Sequence, residues 1–371
     1  MKILLEPLIF NIQKYGGISR YYAEIFRFLS INTNVVIDLP LYTTENFHLK
    51  SHGIGESILI NFFGKLFSYR IKNYFILKSY RKTFKLLKFA KYDLFIPTYY
   101  DVRFLKVIGK TPFVLTVHDM IHEIYPQLEP GSSIVQNKKL LIELATKIIA
   151  VSEHTKKDIL KFYPHVPKDK IHVVHLSHSI SKVNLSRDYL INVVGSTKYI
   201  LFVGNRGVYK NFLWFLKTVS NWLKENKVIL LCLGGGGFDS DEYFDIINLG
   251  LKDVVKQYTF NDHELYFFYT NAIAFVFPSE YEGFGIPILE AMYSGCPVLL
   301  PSRTSFPEVA GDAGEYIDLD NGHSLIKSLD KVYKNPDYRQ KLVSKGFKRV
   351  ERFSWSKTVS SCLEVYNEAV N

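Results

Sequence analysis

The chain alternates short runs of apolar residues with longer amphipathic stretches along almost its whole length. The runs are rich in β-branched and aromatic residues, which favour strands, and the stretches between them are long enough for helices. This alternation predicts parallel strands joined by crossover helices, so we expect the α/β fold class. The predicted strands cover residues 3–5, 35–39, 93–96, 113–117, 147–151, 173–175, 199–203, 228–233, 257–260, 273–277 and 297–300.

The length of the chain and one polar stretch predict two domains. With 371 residues, the chain is long enough for two hydrophobic cores of ordinary domain size. Residues 177–197 carry no sustained helical or strand period and therefore form the predicted linker. We expect one Rossmann-like domain over residues 1–178 and a second over residues 179–355.

Positive charge is concentrated in the first half of the chain. The formal net charge is +10; residues 1–182 hold 26 Lys and Arg against 14 Asp and Glu, whereas residues 183–371 hold 20 against 22. The composition, 47% hydrophobic and 22% charged, excludes a chain that is disordered over its whole length. The excess charge therefore reflects a feature of the first half and not of the whole protein.

The three cysteines, Cys232, Cys296 and Cys362, lie far apart and form no CxxC pair. Their spacing predicts neither a disulfide framework nor a zinc site, and it is typical of a reducing compartment. The first apolar run is interrupted at Glu6 and Pro7, and nowhere does the chain hold the roughly 18 consecutive apolar residues of a membrane span. We therefore expect neither a signal peptide nor a transmembrane helix.

Residues 65–91 hold nine Lys and Arg and no Asp or Glu, interleaved with aromatic and aliphatic residues. At helical spacing this composition predicts a wide apolar face with cationic flanks, which is typical of a helix lying on an anionic membrane. The alternatives are a core helix with solvated lysines and a nucleic-acid site, the latter disfavoured because no nucleic-acid motif accompanies the stretch. The residues expected to contact the membrane are Lys65, Arg70, Lys72, Lys78, Arg81, Lys82, Lys85 and Lys88.

The most informative motif is FVFPSEYEGFGIPILEAMYSGCPVLLPS, residues 275–302. Pro287 suits the first turn of a helix and Gly295 suits its end, so the motif predicts strand, loop, helix, turn and strand. Gly283 and Gly285 precede the helix and let its free backbone amides approach a ligand closely. An anion, and above all a phosphate, is expected at this positive end of the helix dipole.

Glu282 lies in the loop before that helix and Glu290 lies inside it, eight positions later. Because a carboxylate beside a phosphate would be repelled, each is expected to accept hydrogen bonds from hydroxyl groups of a sugar or a ribose. The motif therefore predicts a nucleotide-sugar site. The alternative for either residue alone is a solvated carboxylate or one that interacts only with the helix dipole.

Arg206 and Lys210 flank a glycine in GNRGVYKNF, residues 204–212, between a predicted strand and a predicted helix. Both cations are placed to reach a diphosphate, and an arginine can bind two of its oxygens at once. The alternative is a pair of solvated loop cations. Two DxD strings, at residues 239–241 and 318–320, end no strong strand in a phosphate context, so we assign no metal site.

Two further features mark the first half. Gly16 and Gly17 open a helix after the first strand, but the run is not the GxGxxG fingerprint, so a redox dinucleotide is disfavoured. His118 and Asp119 follow the strand predicted at 113–117, and open α/β sheets place their ligand groups at such strand ends. His118 is expected to bond a sugar hydroxyl or to stabilise the reacting centre, with a purely structural histidine as the alternative.

Taken together, GGISRY, VGNRGVYKN and PSEYEGFGIPILEAMYSGCPV resemble the retaining glycosyltransferases of family 4, and the resemblance extends over nearly the whole chain. It implies the GT-B fold, in which two Rossmann-like domains with parallel sheets face a central cleft. By this resemblance the first domain binds the acceptor and the second binds the nucleotide sugar. The terminal helix, residues 356–371, is then expected to pack back on the first domain.

The resemblance also implies roles for individual residues. Arg206 and Lys210 would bind the donor diphosphate, Glu282 the transferred sugar and Glu290 the ribose, while residues 234–237 would lie near the nucleoside. The implied catalytic set is Glu282, His118, Arg206 and Lys210. The implied donor-binding set is Gly16, Gly17, Arg206, Lys210, Phe260, Leu265, Glu282, Gly283, Phe284, Gly285, Ile286 and Glu290.

The function implied is transfer of a hexose with retention of configuration and without a metal or other cofactor. The expected donor is a GDP- or UDP-linked sugar, with mannose from GDP-mannose as a specific candidate. The expected acceptor is a lipid-linked glycan or polysaccharide in surface-glycan synthesis at the cytoplasmic face of the cell membrane, with no nucleic-acid partner. The alternatives are a GT-B sugar-nucleotide epimerase and a non-enzymatic basic module that binds anions or membranes.

Overall fold

The computed structural model describes residues 1–31, 34–54, 69–183, 186, 188–189, 193, 195, 197–260 and 262–371. The chain folds into two compact units. The first unit comprises Met1–Leu176 together with Trp355–Asn371, and the second comprises Ser177–Ser354. The assignment of the acceptor to the first domain and of the nucleotide sugar to the second stays a prediction.

All strand pairs of the first unit are parallel, in the orders β2-β1-β3 and β4-β5-β6. A single parallel bridge between Phe95 and Phe113 joins the two sets. Strand β6 begins two residues earlier than predicted because Ile171 is buried and pairs with Ile148. The strands are β1 Lys2–Leu5, β2 Val36–Asp38, β3 Leu94–Ile96, β4 Val114–Val117, β5 Lys147–Ala150 and β6 Ile171–Val173.

The helices of the first unit connect these strands. The first long one, α2, packs one face into the core through Tyr21, Tyr22, Ile25 and Leu29. Side-chain caps fix other helix starts, as where the Ser152 hydroxyl accepts a hydrogen bond from the Thr155 amide at the start of α7. The helices are α1 Leu8–Ile12, α2 Gly17–Ser30, α3 Phe47–Ser51, α4 Tyr69–Phe89, α5 Ile121–Ile124, α6 Ile134–Leu144 and α7 Glu153–Phe162.

The second unit has one parallel sheet in the order β12-β11-β10-β7-β8-β9. Strand β12 was not predicted, because Ile317 alone among its four residues is buried and no apolar run marks it. Strands β8 and β9 are added on one side of β7, and strands β10, β11 and β12 are added on its other side. This is the doubly wound arrangement. The strands are β7 Tyr199–Val203, β8 Ile229–Leu233, β9 Val255–Tyr258, β10 Phe275–Val276, β11 Val298–Pro301 and β12 Gly314–Ile317.

Helices cover both faces of this sheet. On one face Phe215, Leu216 and Trp222 of α8 pack against Ile200 and Phe202 of β7. The helices are α8 Phe212–Asn226, α9 Ser240–Asn248, α10 Asp262–Asn271, α11 Ile286–Tyr293, α12 Phe306–Ala310, α13 Gly322–Lys334 and α14 Pro336–Val350. Parallel sheets alternating with helices confirm the predicted α/β fold class.

The terminal helix, α15, spans Trp355–Val370 and belongs to the first unit. The Cys362 thiol lies 3.4 Å from the Tyr21 hydroxyl, and the Thr358 hydroxyl donates to the His175 carbonyl at 2.8 Å. Each of the three cysteines is a free, buried thiol. Within the described ranges, no helix is both long enough and apolar enough to cross a membrane.

Candidate active site

Polar residues of the second unit gather at the carboxyl ends of β7 and β10. These adjacent strands flank the point where the direction of winding reverses, which is where doubly wound sheets bind their ligands. Arg206 and Lys210 follow β7, and Glu282 follows β10. The two loops are bonded to each other, because the Glu280 amide donates to the Tyr209 carbonyl at 2.8 Å. Motifs about 70 residues apart in sequence therefore form one site, as expected for the carboxyl edge of a parallel sheet.

Lys210 and Glu282 form an ion pair. The Lys210 ammonium donates to Oε1 of Glu282, and each side chain is 13% exposed. The same ammonium lies 5.2 Å from the centre of the Phe277 ring, within the range of a cation–π contact. The cation predicted to bind phosphate and the carboxylate predicted to bind the sugar thus neutralise each other.

The loop before α11 is tightly held. Gly285 has a φ of 100°, a left-handed conformation that favours glycine, and a Cβ there would lie 2.9 Å from the Ile288 side chain. Below the loop, the buried Ser305 hydroxyl contacts the carbonyls of Glu282 and Phe284 at 3.0 and 2.9 Å. Ser305 carries no sequence signal for this role, which depends on a contact between distant segments.

The remaining predicted donor residues lie in α10, in α11 and in the loops that precede them. Glu290 is buried in α11, and Phe284 is buried with its ring 5.9 Å from that of Phe353. The Phe260 ring approaches Gly234 after β8, since a Cβ on Gly234 would lie 3.4 Å from it. Leu265 is buried within α10 and so faces the protein interior.

Arg206 has a different environment from Lys210. Its Nε donates to Glu242 at 2.7 Å, and its two terminal nitrogens donate to the carbonyls of all four residues of Gly234–Gly237 at 2.8 to 3.3 Å. The side chain is only 3% exposed. Sequence reasoning did not single out Glu242, although the spacing Asp239-x-x-Glu242 is the signature of the capping box found at the start of α9.

In the first unit, Gly16 and Gly17 lie at the start of α2. The Ser19 hydroxyl donates to the Gly16 carbonyl at 3.1 Å, and the Ser19 amide donates to the Gln13 side chain at 3.1 Å. A Cβ on Gly16 would lie 2.4 Å from the Gln13 side-chain oxygen. The two glycines therefore open a helix, as the sequence predicts, and Gly16 is closely packed against Gln13.

His118 follows β4 and is 9% exposed. The rings of Tyr21 and Tyr22 meet the imidazole edge-on at 5.3 and 5.8 Å, and burial lowers the pKa of His118 to about 4. Within the described part of the chain, its Nε2 is buried without a hydrogen-bond partner. A neutral imidazole therefore lies at the end of β4, where one nitrogen can donate and the other accept.

The loop after His118 is supported by a fully buried lysine. The Lys138 ammonium donates to the Asp119 carbonyl at 3.2 Å and to the Glu123 carboxylate at 2.8 Å, and Tyr163 donates to the same carboxylate at 3.1 Å. An amphipathic sequence pattern predicts exposure for such a lysine, so it was not singled out. A cavity of about 430 Å³ adjoins the loop and is lined in part by His122, Tyr125, Glu129, Ser132, Ser133 and Gln136.

Glu6, at the end of β1, is fully buried beside the end of β3. One of its oxygens accepts from the Thr98 amide at 2.9 Å, whereas the other has no partner among the described residues. Burial raises the pKa of Glu6 to about 8. Sequence reasoning used Glu6 only as an interruption of the first apolar run and did not predict its burial.

Helix α4 carries the basic stretch. Its buried side includes Ser79, Tyr80, Thr83 and Leu87, so part of the apolar face predicted for this helix belongs to the core. Leu77 and Phe89 remain exposed. Of the predicted membrane residues, Lys65 lies outside the described residues, and Arg70 and Lys72 lie in α4. The exposed ones are Lys78, Arg81, Lys82, Lys85 and Lys88.

Part of this exposed surface is a groove of about 520 Å³ that Tyr42 and α4 line. The ammonium groups of Lys78 and Lys82 lie 4.7 and 5.2 Å from the centre of the Tyr42 ring. The groove is therefore cationic with an aromatic wall. Elsewhere, in the described ranges, no cluster of three or more His, Cys, Asp or Glu side chains is arranged to hold a metal ion.

Two family models match the chain. The model described as Glycosyltransferase Family 4 matches residues 15–177, and the model described as Glycosyl transferases group 1 matches residues 191–349. Together they span both units. The predicted family is therefore confirmed in both halves of the chain.

Relatives and solved structures agree with this assignment. The chain is 25% identical to the O-antigen chain mannosyltransferase B of Escherichia coli, over 99% of both chains, and 30% identical to the O-antigen chain mannosyltransferase RfbU of Salmonella typhimurium, over 68% of both. A crystal structure of Anabaena HepE in complex with UDP-glucose superposes with a TM-score of 0.75 at 16% identity, covering 99% of this chain and 100% of that one. Sucrose-phosphate synthase from Thermosynechococcus elongatus superposes with a TM-score of 0.74 at 18% identity, over 99% and 98%. The fold is GT-B, and the chain belongs to the group 1 glycosyltransferases of family 4.

Proposed function

We propose that the protein transfers a hexose from a nucleotide sugar to a lipid-linked or polysaccharide acceptor in surface-glycan synthesis. The observation that carries the donor half of this proposal is the Lys210–Glu282 pair beside the start of α11. The proposed donor is GDP-mannose, because two relatives that cover most of the chain are named O-antigen chain mannosyltransferases.

The ion pair supports an exchange of partners on donor binding. A diphosphate brings negative charge to Lys210, which can then release Glu282 to accept hydrogen bonds from hydroxyls of the transferred sugar. The start of α11 adds backbone amides and the positive end of a dipole. Glu290 is proposed to accept from the ribose hydroxyls.

Charge stabilisation of the leaving group is the main chemical demand. The bond between the anomeric carbon and the phosphate oxygen breaks, and a new bond forms to the acceptor oxygen on the same face of the sugar. Because the new bond forms on the same face, the configuration is retained. The acceptor proton passes to the departing phosphate, and the leaving group is a nucleoside diphosphate. Lys210 and the start of α11 stabilise its charge without a metal ion. Glu282 positions the sugar and is not the base.

His118 is proposed to bond a hydroxyl of the transferred sugar. Burial keeps its imidazole neutral, so it can do so without placing a positive charge beside the anomeric carbon, where positive charge develops as the glycosidic bond breaks. The neighbouring cavity of about 430 Å³ is proposed to hold the acceptor saccharide. Among the described residues that line it, Glu129 is the one carboxylate, and several others offer hydroxyl, amide, imidazole and aromatic groups suited to a sugar: His122, Tyr125, Ser132, Ser133 and Gln136.

The basic groove of α4 is proposed to rest on the anionic cytoplasmic face of the membrane. Each basic residue near such a surface contributes about 1 kcal/mol, and the exposed Leu77 and Phe89 add apolar contact. Replacing Lys78, Arg81, Lys82 and Lys85 by Ser should release the protein from phosphatidylserine vesicles and leave donor binding intact. Attachment that survives both the substitutions and high salt would exclude an electrostatic contact.

The test of the transferase is turnover. The purified protein is incubated with GDP- and UDP-hexoses and a lipid-linked oligosaccharide, and the released nucleoside diphosphate and the anomeric configuration of the product are measured. We expect GDP release from GDP-mannose that depends on the acceptor, with a retained configuration. An altered sugar nucleotide formed without acceptor would identify an epimerase instead, and binding without any product would identify an anion-binding module.

A further inference from the structure

The loop after β8 is a run of four glycines, Gly234–Gly237, with an unusual backbone. Gly234, Gly235 and Gly236 have φ values of 77°, 72° and 75°, three left-handed residues in succession. Side chains disfavour this conformation, so the run depends on glycine. A Cβ on Gly235 would also lie 2.7 Å from the Gly204 carbonyl and 2.8 Å from the Arg206 guanidinium. The loop is therefore shaped around Arg206.

The four carbonyls of this run converge on one guanidinium. Nη1 of Arg206 donates to Gly234 at 3.1 Å, and Nη2 lies 3.3, 3.2 and 2.8 Å from the carbonyl oxygens of Gly235, Gly236 and Gly237. Nε donates to Glu242 at 2.7 Å, and the guanidinium carbon lies 4.9 Å from the centre of the Phe238 ring. Almost all of the donor capacity of the arginine is therefore used within the protein.

Lys210, four residues later, makes a useful contrast. Its ammonium donates to the Glu282 carboxylate, and both side chains are 13% exposed. The Arg206 side chain is only 3% exposed. To bind Arg206, a diphosphate would have to displace Glu242 and the carbonyls and leave them unsatisfied.

We propose that Arg206 is a positioning residue, which holds the Gly234–Gly237 loop in shape and does not itself bind the donor diphosphate. This replaces the role that the sequence assigns to it, and it rests on the proposed function, in which the site binds a nucleotide sugar. The loop follows β8, next to β7 in the sheet, so its exposed backbone lies at the ligand-binding edge. There it is suited to contact the nucleoside.

Binding of nucleoside mono- and diphosphates separates the two roles. Dissociation constants of GMP, GDP, UMP and UDP are measured for the wild type, Arg206→Gln and Lys210→Gln. We expect Arg206→Gln to weaken binding of the nucleoside monophosphate and of the nucleoside diphosphate by the same factor, about tenfold. Lys210→Gln should weaken the diphosphate more than the monophosphate. A selective loss of diphosphate affinity in Arg206→Gln, or no loss at all, overturns the proposal.

Two further variants protect the test against misfolding. Glu242→Gln keeps Arg206 but weakens the contact that orients its guanidinium. It should therefore lower the affinities for mono- and diphosphate by one common factor, smaller than that of Arg206→Gln. Arg206→Lys should fail to restore affinity, because an ammonium cannot span four carbonyls as a planar guanidinium does. Restored affinity in Arg206→Lys would show that a positive charge suffices and would overturn the proposal.

Arg339→Gln is the matched control. Arg339 also donates to backbone carbonyls, those of Ala272 and Ile273 at 3.0 and 3.4 Å, but these precede β10 and lie at the opposite end of the sheet. It should lower stability without changing nucleotide affinity. If the wild type binds none of the four nucleotides, the proposed function itself fails. If it binds them and Arg206→Gln behaves like Arg339→Gln, only the positioning role fails.

Discussion

The polar groups at the carboxyl edges of the sheets differ in charge and in hydrogen bonding between the two units. In the second unit, charged groups satisfy one another: Lys210 pairs with Glu282, and Arg206 bonds Glu242 and the glycine loop. In the first unit, Glu6 and His118 each have a buried polar atom without a hydrogen-bond partner in the described ranges. One edge therefore holds paired charges, and the other holds two groups that burial keeps neutral.

The difference has a chemical consequence. Burial disfavours the charged form of any group, which is why the pKa of Glu6 rises to about 8 and that of His118 falls to about 4. Near pH 7 Glu6 and His118 are therefore uncharged, and a neutral imidazole suits the sugar hydroxyl proposed as the partner of His118. The Lys210 ammonium of the second unit suits the diphosphate proposed as its ligand.

Breaking the ion pair of the second unit should have the largest effect. Lys210→Ala removes the cation proposed to stabilise the leaving group and leaves Glu282 without its partner. We expect kcat/KM for the donor to fall by about 100- to 1,000-fold, the usual cost of losing one preorganised charge-stabilising group. The measurement is steady-state release of nucleoside diphosphate at fixed acceptor.

Two comparisons sharpen this prediction. The double variant Lys210→Ala, Glu282→Gln should lose less than the product of the two single losses, because the residues are in contact. Lys198→Ala, just before β7 at the other end of the sheet, should leave kcat/KM unchanged. Equal losses in Lys198→Ala and Lys210→Ala would mean that Lys210 has no special role.

Much of the fold could be predicted because it depends on local patterns. The strands with continuous apolar runs appear where expected, from Lys2–Leu5 to Val298–Pro301. The prediction was less exact at β6 and β9, which begin at Ile171 and Val255, each two residues earlier than predicted, and it missed β12. All three are strands at the edges of their sheets, where few residues are fully buried and the apolar signal is weak.

The site was predictable only in part. The approach of Lys210 to Glu282 follows from motif positions at strand ends, but their direct bond does not. The Arg206–Glu242 pair and the burial of Glu6 depend on contacts between distant segments. A charged residue in a single sequence predicts exposure, so these buried charges could not be recognised from pattern alone.

The first edge can be tested through the pH dependence of stability. Native Glu6, with its pKa raised to about 8, keeps its proton at pH values where the unfolded chain has lost it, so stability falls as pH rises from about 4.5 to about 8. Glu6→Gln cannot ionise. We expect its stability relative to the wild type to increase by about 3 kcal/mol between pH 4.5 and pH 7, measured by thermal unfolding.

Glu143→Gln serves as the control for Glu6→Gln. Glu143 lies on α6 with a side chain that is 33% exposed and is paired with His165. Because water reaches this carboxylate, its replacement reports what the loss of an exposed carboxylate does to stability over the same pH range. A stability difference between Glu6→Gln and the wild type that is constant from pH 4.5 to pH 7 would show that Glu6 is ionised in the native protein.

His118 should show a smaller effect of the opposite sign. With its pKa lowered to about 4, native His118 stays neutral while the unfolded chain takes up a proton below about pH 6.5, so stability is lost as pH falls through this range. His118→Asn should remove about 2 kcal/mol of that loss at pH 5, and part of the acid dependence should remain because burial also lowers the pKa of His48 to about 3. The NMR signal of the His118 ring C2 proton provides a direct measurement and should not shift between pH 5 and pH 8. A transition within that interval would mean that the imidazole becomes charged in the native state, and the contrast between a neutral edge and a charged edge would then be wrong.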